Sequence, residues 1–139
     1  MRYSVIVDTG PLVSLINRRD RYHEWVRTEL ATIQPPLLSC EAVLSEAWFL
    51  LQRVSNGRET LVGLLNSQQI LVPFQFNQEV ESITELLTKY TSVPVSLADA
   101  CLVRMAEQHP QSHILTLDSD FQIYRKFKNQ PIPVIMPNI

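Results

Sequence analysis

The chain alternates apolar runs too short for helices with longer stretches whose apolar residues recur at helical spacing, and this limits its fold more than any other feature. Tyr3 to Val7 is rich in β-branched residues and apolar without alternation, the pattern of a strand buried on both faces. Similar runs follow at Leu37-Leu38, Ile70-Leu71-Val72, His113 to Leu117 and Val134-Ile135-Met136. Helices are predicted between them over 9–17, 22–33, 41–54, 59–66, 77–90, 96–108 and 121–127. Thr9-Gly10-Pro11 reads as a cap followed by proline at the first helical position, Asp20 and Asn77 as caps further on, and Ser96-Leu97-Ala98-Asp99 as a capping box with aspartate in place of the usual Glu or Gln. Strands separated by helices throughout imply a parallel sheet with helices on both faces.

Composition narrows the function. A chain of 139 residues, 45% hydrophobic, is expected to form one domain over 1–139 with a real apolar core. The three glycines, Gly10, Gly57 and Gly63, are too scattered for a phosphate-cradling glycine loop. Cys40 and Cys101 make neither a disulfide framework nor a four-thiolate zinc site, and read as buried free thiols in a reducing cytoplasm. Asp8 interrupts the N-terminal apolar stretch, so it does not read as a signal peptide, and no run approaches the ~18 apolar residues of a membrane span.

The aspartates carry the chemistry. Asp8 follows the first strand, Asp118 and Asp120 follow a later one, and Asp99 opens a helix. Ligands of parallel sheets bind outside the carboxyl ends of the strands, where Asp8, Asp118 and Asp120 are expected to converge and Asp99 to join them. Glu46 stands in the helical stretch AVLSEAWFLL, where Ser45 is the only other polar residue and a carboxylate calls for a cationic partner. Each acid has a local alternative: Asp99 as part of a capping box, Asp118 as a cap, Asp8 as an Asx-turn residue, Glu46 as a surface partner of Arg53. Together, clustered carboxylates without a histidine set point to a hard cation, Mg²⁺ or Mn²⁺, and to phosphodiester hydrolysis.

The net charge of −2 at first argues against a nucleic-acid partner. Without the five proposed site acids, however, nine acidic residues face twelve basic ones, and the remaining surface can track an RNA backbone. The candidate RNA-binding residues form two clusters, Arg18, Arg19 and Arg21, and Arg125, Lys126 and Lys128; both also follow helix ends, where cations suit the dipole.

At these residues the sequence resembles the PIN-domain ribonucleases, especially the VapC-like toxins of bacterial toxin–antitoxin pairs. The likeness rests on Val7-Asp8-Thr9-Gly10-Pro11-Leu12, Leu44-Ser45-Glu46, Ser96-Leu97-Ala98-Asp99-Ala100 and Leu115-Thr116-Leu117-Asp118-Ser119-Asp120-Phe121, in order along the whole chain. A haloacid-dehalogenase-type phosphatase would need an aspartate where Gly10 stands, and a receiver domain an acidic pair at the first strand; neither is present. The resemblance implies a three-layer α/β/α domain with a five-stranded parallel sheet in 3-2-1-4-5 order and about seven helices. It also implies metal-dependent RNA cleavage by Asp8, Glu46, Asp99 and Asp118, with Asp120 as a supporting acid and metal ligand and the Thr9 and Thr116 hydroxyls ordering the site. An antitoxin partner and a homodimer are implied as well. Because the same family includes members that bind RNA or protein without evident cutting, a catalytically idle binding module is the alternative.

Overall fold

Val5, Ile6 and Val7 are all buried, as a strand covered on both faces requires, and they form the centre of the sheet. The computed structural model describes residues 3–90 and 92–138. Along the chain run β1 (Ser4–Val7), α1 (Thr9–Ile16), α2 (His23–Leu30), β2 (Leu37–Leu38), α3 (Glu41–Leu50), α4 (Gly57–Asn66), β3 (Ile70–Leu71), α5 (Val80–Lys89), α6 (Leu97–Gln108), β4 (Ser112–Leu115), β5 (Arg125–Lys126), β6 (Gln130–Pro131) and β7 (Val134–Ile135). Five strands pair in parallel in the order β3-β2-β1-β4-β7, the expected 3-2-1-4-5 arrangement once the β5–β6 hairpin is set aside. Val7 lies opposite Leu115, so β1 and β4 end side by side and their following residues emerge together. Ser39 reinforces this edge by donating its hydroxyl to the Val7 carbonyl at 3.0 Å.

Helix α6 is the most enclosed: Ala100, Cys101, Leu102, Val103, Met105 and Ala106 are all buried. Its small and apolar residues fit it between the sheet and α5, and its N-terminus is thereby fixed relative to the strand ends. Cys40 and Cys101 are free and buried, as expected. No helix among the described residues is long and apolar enough to cross a membrane.

Several local expectations are corrected. The seventh helix, predicted over 121–127, is one 3-10 turn, Ser119–Gln122, followed by the antiparallel β5–β6 hairpin. Phe127 and Lys128 adopt φ of 49° and 73°, the left-handed backbone that reverses a chain and cannot extend a right-handed helix. Tertiary contact holds that turn, since the Phe127 N–H donates to a Glu107 carboxylate oxygen at 2.6 Å. Asn77 lies in a 3-10 turn, Phe76–Gln78, and α5 starts after Glu79 with no side-chain cap. Asp20 sets the turn before α2 by accepting from the Tyr22 N–H at 2.9 Å and the Ser14 hydroxyl at 2.7 Å. Predicted helix 41–54 ends at Leu50 and tightens into a 3-10 turn over Leu51–Arg53. The cap of α1 is Asp8, so Pro11 falls at the third helical position and not the first.

Candidate active site

Where β1 and β4 end, a short chain of hydrogen bonds ties the acids together. Asp8 accepts from the Thr9 N–H at 2.7 Å through Oδ1 and from the Thr116 hydroxyl at 2.8 Å through Oδ2. The Thr116 oxygen in turn accepts the Asp118 N–H at 2.9 Å, and Asp118 Oδ1 accepts the Asp120 N–H at 2.9 Å. One hydroxyl between two strand ends thus fixes the orientation of Asp8 and the backbone position of Asp118. The local reading of Asp118 as a cap holds geometrically, and Asp8, expected as an Asx-turn residue, caps α1; each accepts from the backbone that follows it. A cap does not exhaust a carboxylate, which has about four lone-pair sites, and capping here aims the group without consuming it.

Asp99 approaches from the start of α6. Its N–H donates to Ser96 Oγ at 3.0 Å and its Oδ2 accepts the Ser96 N–H at 3.4 Å, the capping box expected from sequence. Sequence reasoning missed Tyr124. Its hydroxyl, on a fully buried side chain, lies 3.0 Å from Asp99 Oδ2 and 2.8 Å from the Pro94 carbonyl oxygen. One phenolic proton therefore faces two acceptors. Edge-on packing against Tyr90 and Phe121 holds the ring.

Glu46 completes the group from α3, where its side chain is exposed. Asp8, Glu46, Asp99 and Asp118, contributed by four separate segments, line one open cleft of about 630 Å³ together with Thr9, Gly10, Leu50, Ser96, Leu117 and Ser119. Asp120 is half-buried in the adjoining turn and does not line the cleft. No ion pair joins Glu46 to Arg53 among the described residues.

Burial pushes the Asp8 carboxyl up from 3.8 to about 6; the Thr116 and Thr9 hydrogen bonds oppose the rise, and the charges of Asp99 and Asp118 add to it. Asp99 is also raised, chiefly by burial, with the Tyr124 and Ser96 hydrogen bonds opposing and Asp118 adding. Negative charge is therefore crowded here without a cationic side chain among the cleft's lining residues.

The donor set suits a hard cation. All the polar side chains of the cleft offer oxygen, and the buried Thr9 hydroxyl has no hydrogen-bond partner among the described residues. As they stand, no three acidic, histidine or cysteine side chains among the described residues are gathered into a cation cage. An ion that keeps much of its water shell suits carboxylates spaced in this way.

The two basic clusters part company. Arg18, Arg19 and Arg21 are exposed, with the Arg21 guanidinium 5.1 Å from the centre of the Tyr22 ring. Arg125 instead donates through Nη1 to the carbonyls of Gln122, Ile123 and Tyr124 at 2.7, 3.1 and 3.1 Å, closing the 3-10 turn. Lys126 is 7% exposed, so burial removes it from the surface that a polynucleotide could meet. Lys128 is exposed at the hairpin turn.

An α/β fold with a parallel sheet and an acid-lined cleft at its strand ends defines the class of protein. The chain belongs to the PIN domain family, whose model matches residues 5–126. Membership supports nuclease activity. Among solved structures, the crystal structure of Mycobacterium tuberculosis VapC20, a sarcin-ricin loop cleaving toxin, is similar with a TM-score of 0.75 and 22% sequence identity, covering 92% of this chain and 100% of that one. At that identity the likeness speaks for the fold. Among curated proteins, no sequence matches.

Proposed function

We propose that this PIN protein is a Mg²⁺- or Mn²⁺-dependent endoribonuclease, the toxin of a type II toxin–antitoxin pair, acting in the cytoplasm as one unit over residues 1–139. The observation that carries the reading is the convergence of Asp8, Glu46, Asp99 and Asp118 from four segments on one cleft. When bound, the ion supplies Lewis acidity, polarising a phosphoryl oxygen and acidifying water. Asp8 and Asp118 would hold it from the strand ends, Asp99 from the start of α6 and Glu46 from α3, with Asp120 supporting from the adjoining turn. Thr116 keeps Asp8 aimed, Tyr124 keeps Asp99 aimed, and the unpartnered Thr9 hydroxyl is free to serve the ion's water shell. No histidine lines the cleft, so the proton released from the attacking water passes to a carboxylate or to solvent.

Sharing its fold with a toxin described as cleaving the sarcin-ricin loop supports RNA as the substrate class. An antitoxin and a second copy of the chain belong to the same proposal. Trp48, Phe49 and Leu50, exposed at 43%, 63% and 48%, begin two residues after Glu46 in α3 and suit a protein partner.

The test is incubation of purified protein with structured RNA in Mg²⁺, in Mn²⁺ and in chelator. Cutting is expected with either ion, none in chelator, and none by Asp8→Asn. Equal cutting in chelator overturns the reading. Binding of RNA without cutting under every condition supports the idle binding module instead.

A further inference from the structure

Past the acid cleft, α1 and α3 build a second and opposite feature. Helix α1 starts at the acids and ends in Asn17-Arg18-Arg19, and α3 passes from Glu46 through Leu50 into the 3-10 turn that holds Arg53. Arg18, Arg19 and Arg53 meet around an open cleft of about 700 Å³, with Asn17, Asn56 and Thr60 among its polar walls. Arg53 is also exposed, and none of the described acidic residues lines this cleft. None of the three guanidinium groups makes an ion pair among the described residues. Among the described residues four other arginines are engaged: Arg104 bridges Glu79 and Glu107, Arg27 meets Glu24, Arg58 donates to the Trp48 carbonyl, and Arg125 closes its own turn, while Arg21 lies over the Tyr22 ring.

Three uncompensated guanidinium groups around one hollow repel each other unless an anion sits among them. Their forked donors match phosphate oxygens, and the amide and hydroxyl walls can complete the contacts. We infer that the Arg18–Arg19–Arg53 cleft is a phosphate-binding subsite for the backbone of the RNA strand whose scissile bond lies in the acid cleft, an inference that rests on the nuclease reading above. Both clefts draw on α1 and on the run from α3 into its 3-10 turn; the acid cleft adds the α6 start and the residues after β4, and the arginine cleft adds Thr60 of α4. The eight residues of α1 place them about 12 Å apart along that helix, and the seven steps from Glu46 to Arg53 about 10 Å apart along the other. A single strand a few nucleotides long spans that separation, so the arginines grip the chain at a set distance from the point of cutting. The acid cleft repels polyanions, and a basic anchor just beyond it gives the substrate a reason to stay. An acidic peptide could also answer three arginines; contiguity with the phosphodiester site favours RNA.

The experiment measures binding of a short labelled single-stranded RNA by fluorescence anisotropy across a salt series, in an Asp8→Asn background so that binding is read without cleavage. Arg18→Ala, Arg19→Ala and Arg53→Ala combined should weaken binding and lower the slope of log affinity against log salt by about 2, the loss of three phosphate contacts to a single strand. The triple Arg→Lys variant, which guards against a folding defect, should keep the slope while losing part of the affinity. Arg27→Ala, at an arginine already paired with Glu24, should change neither. An unchanged slope in the triple Ala variant overturns the subsite, as does loss of binding to an acidic peptide with RNA binding intact. Cleavage by the unmodified protein is scored separately: cutting with an unchanged slope defeats only the subsite, and a lowered slope without cutting in either ion defeats only the nuclease reading.

Discussion

Asp8 and Glu46 line the same cleft and are held there in opposite ways. Asp8 is 8% exposed and fastened at both oxygens, whereas Glu46 is exposed on the solvent side of α3. The strand-end acid is aimed before any ligand arrives, and the cost is desolvation, visible as a carboxyl raised to about 6. The helical acid retains its hydration and is delivered to the rim by backbone position alone. Fixed acids on one wall and a free one on the other mean that, on the proposed reading, a cation would meet a partly assembled site rather than a finished cage.

The largest effect expected from this difference is on cleavage. Asp8→Asn should reduce Mn²⁺-dependent cutting to background, because it removes a fixed charge and turns an amide N–H toward one of the Asp8 hydrogen-bond donors. Glu46→Gln should leave a measurable remainder, read as the initial rate on the same RNA. Equal losses would erase the distinction between a fixed and a mobile acid.

Next comes the pH dependence of stability in metal-free protein. The folded-state pKa of Asp8 is raised, so between 3.8 and about 6 the native state holds a proton that the unfolded chain has already released. Stability therefore falls as pH rises through that window, and the full decline attributable to Asp8 is about 3 kcal/mol. Urea midpoints in chelator should show it in the parent. Asp8→Asn should lack this component, and Glu46→Gln should retain it. A parent whose stability does not depend more steeply on pH than that of Asp8→Asn would contradict the burial argument.

Tyr124 extends the comparison to Asp99, whose carboxylate is held by a side chain from another element. Tyr124→Phe keeps the ring packing and removes the hydroxyl, so Mn²⁺ affinity measured by titration calorimetry should fall ~10–100-fold, the usual cost of losing a partner that orients a metal ligand. The fold should lose only about 1 kcal/mol, one hydrogen bond's net worth. Lowered stability with undiminished Mn²⁺ affinity would make Tyr124 structural only.

What the sequence disclosed follows from how local each cause is. The β1 strand and the place of Asp8 were legible because a β-branched run and an acid at its end act over a few residues. The Ser96–Asp99 capping box was legible for the same reason. Tyr124 was not, because its partners Pro94 and Asp99 lie 30 and 25 residues away and only the packing of α6 brings them together. The β5–β6 hairpin was hidden in the same way: Phe121 to Phe127 has helix-like apolar spacing, and the left-handed turn at Phe127 and Lys128 is held by Glu107 from α6. Arg18 and Arg19 stood out as a cluster, yet nothing in the sequence joined Arg53 to them, since their meeting depends on how α1 and α3 pack.

The smallest effect is the most discriminating test of the Glu46 wall. If Glu46 serves the fold, as a surface partner or an ordered acceptor, neutralising it should remove an interaction and lower stability in chelator. If it serves only a ligand, Glu46→Gln changes little, because Gln and Glu have nearly equal helix propensity and an exposed charge is screened by solvent. The expected change in unfolding free energy in chelator is within about 0.5 kcal/mol. Mn²⁺ should then separate the proteins: it should raise the parent's midpoint by binding the native state, and raise that of Glu46→Gln less. A clear destabilisation in chelator with an unchanged Mn²⁺ shift would move Glu46 from the site to the fold, and leave the cleft with acids on one wall only.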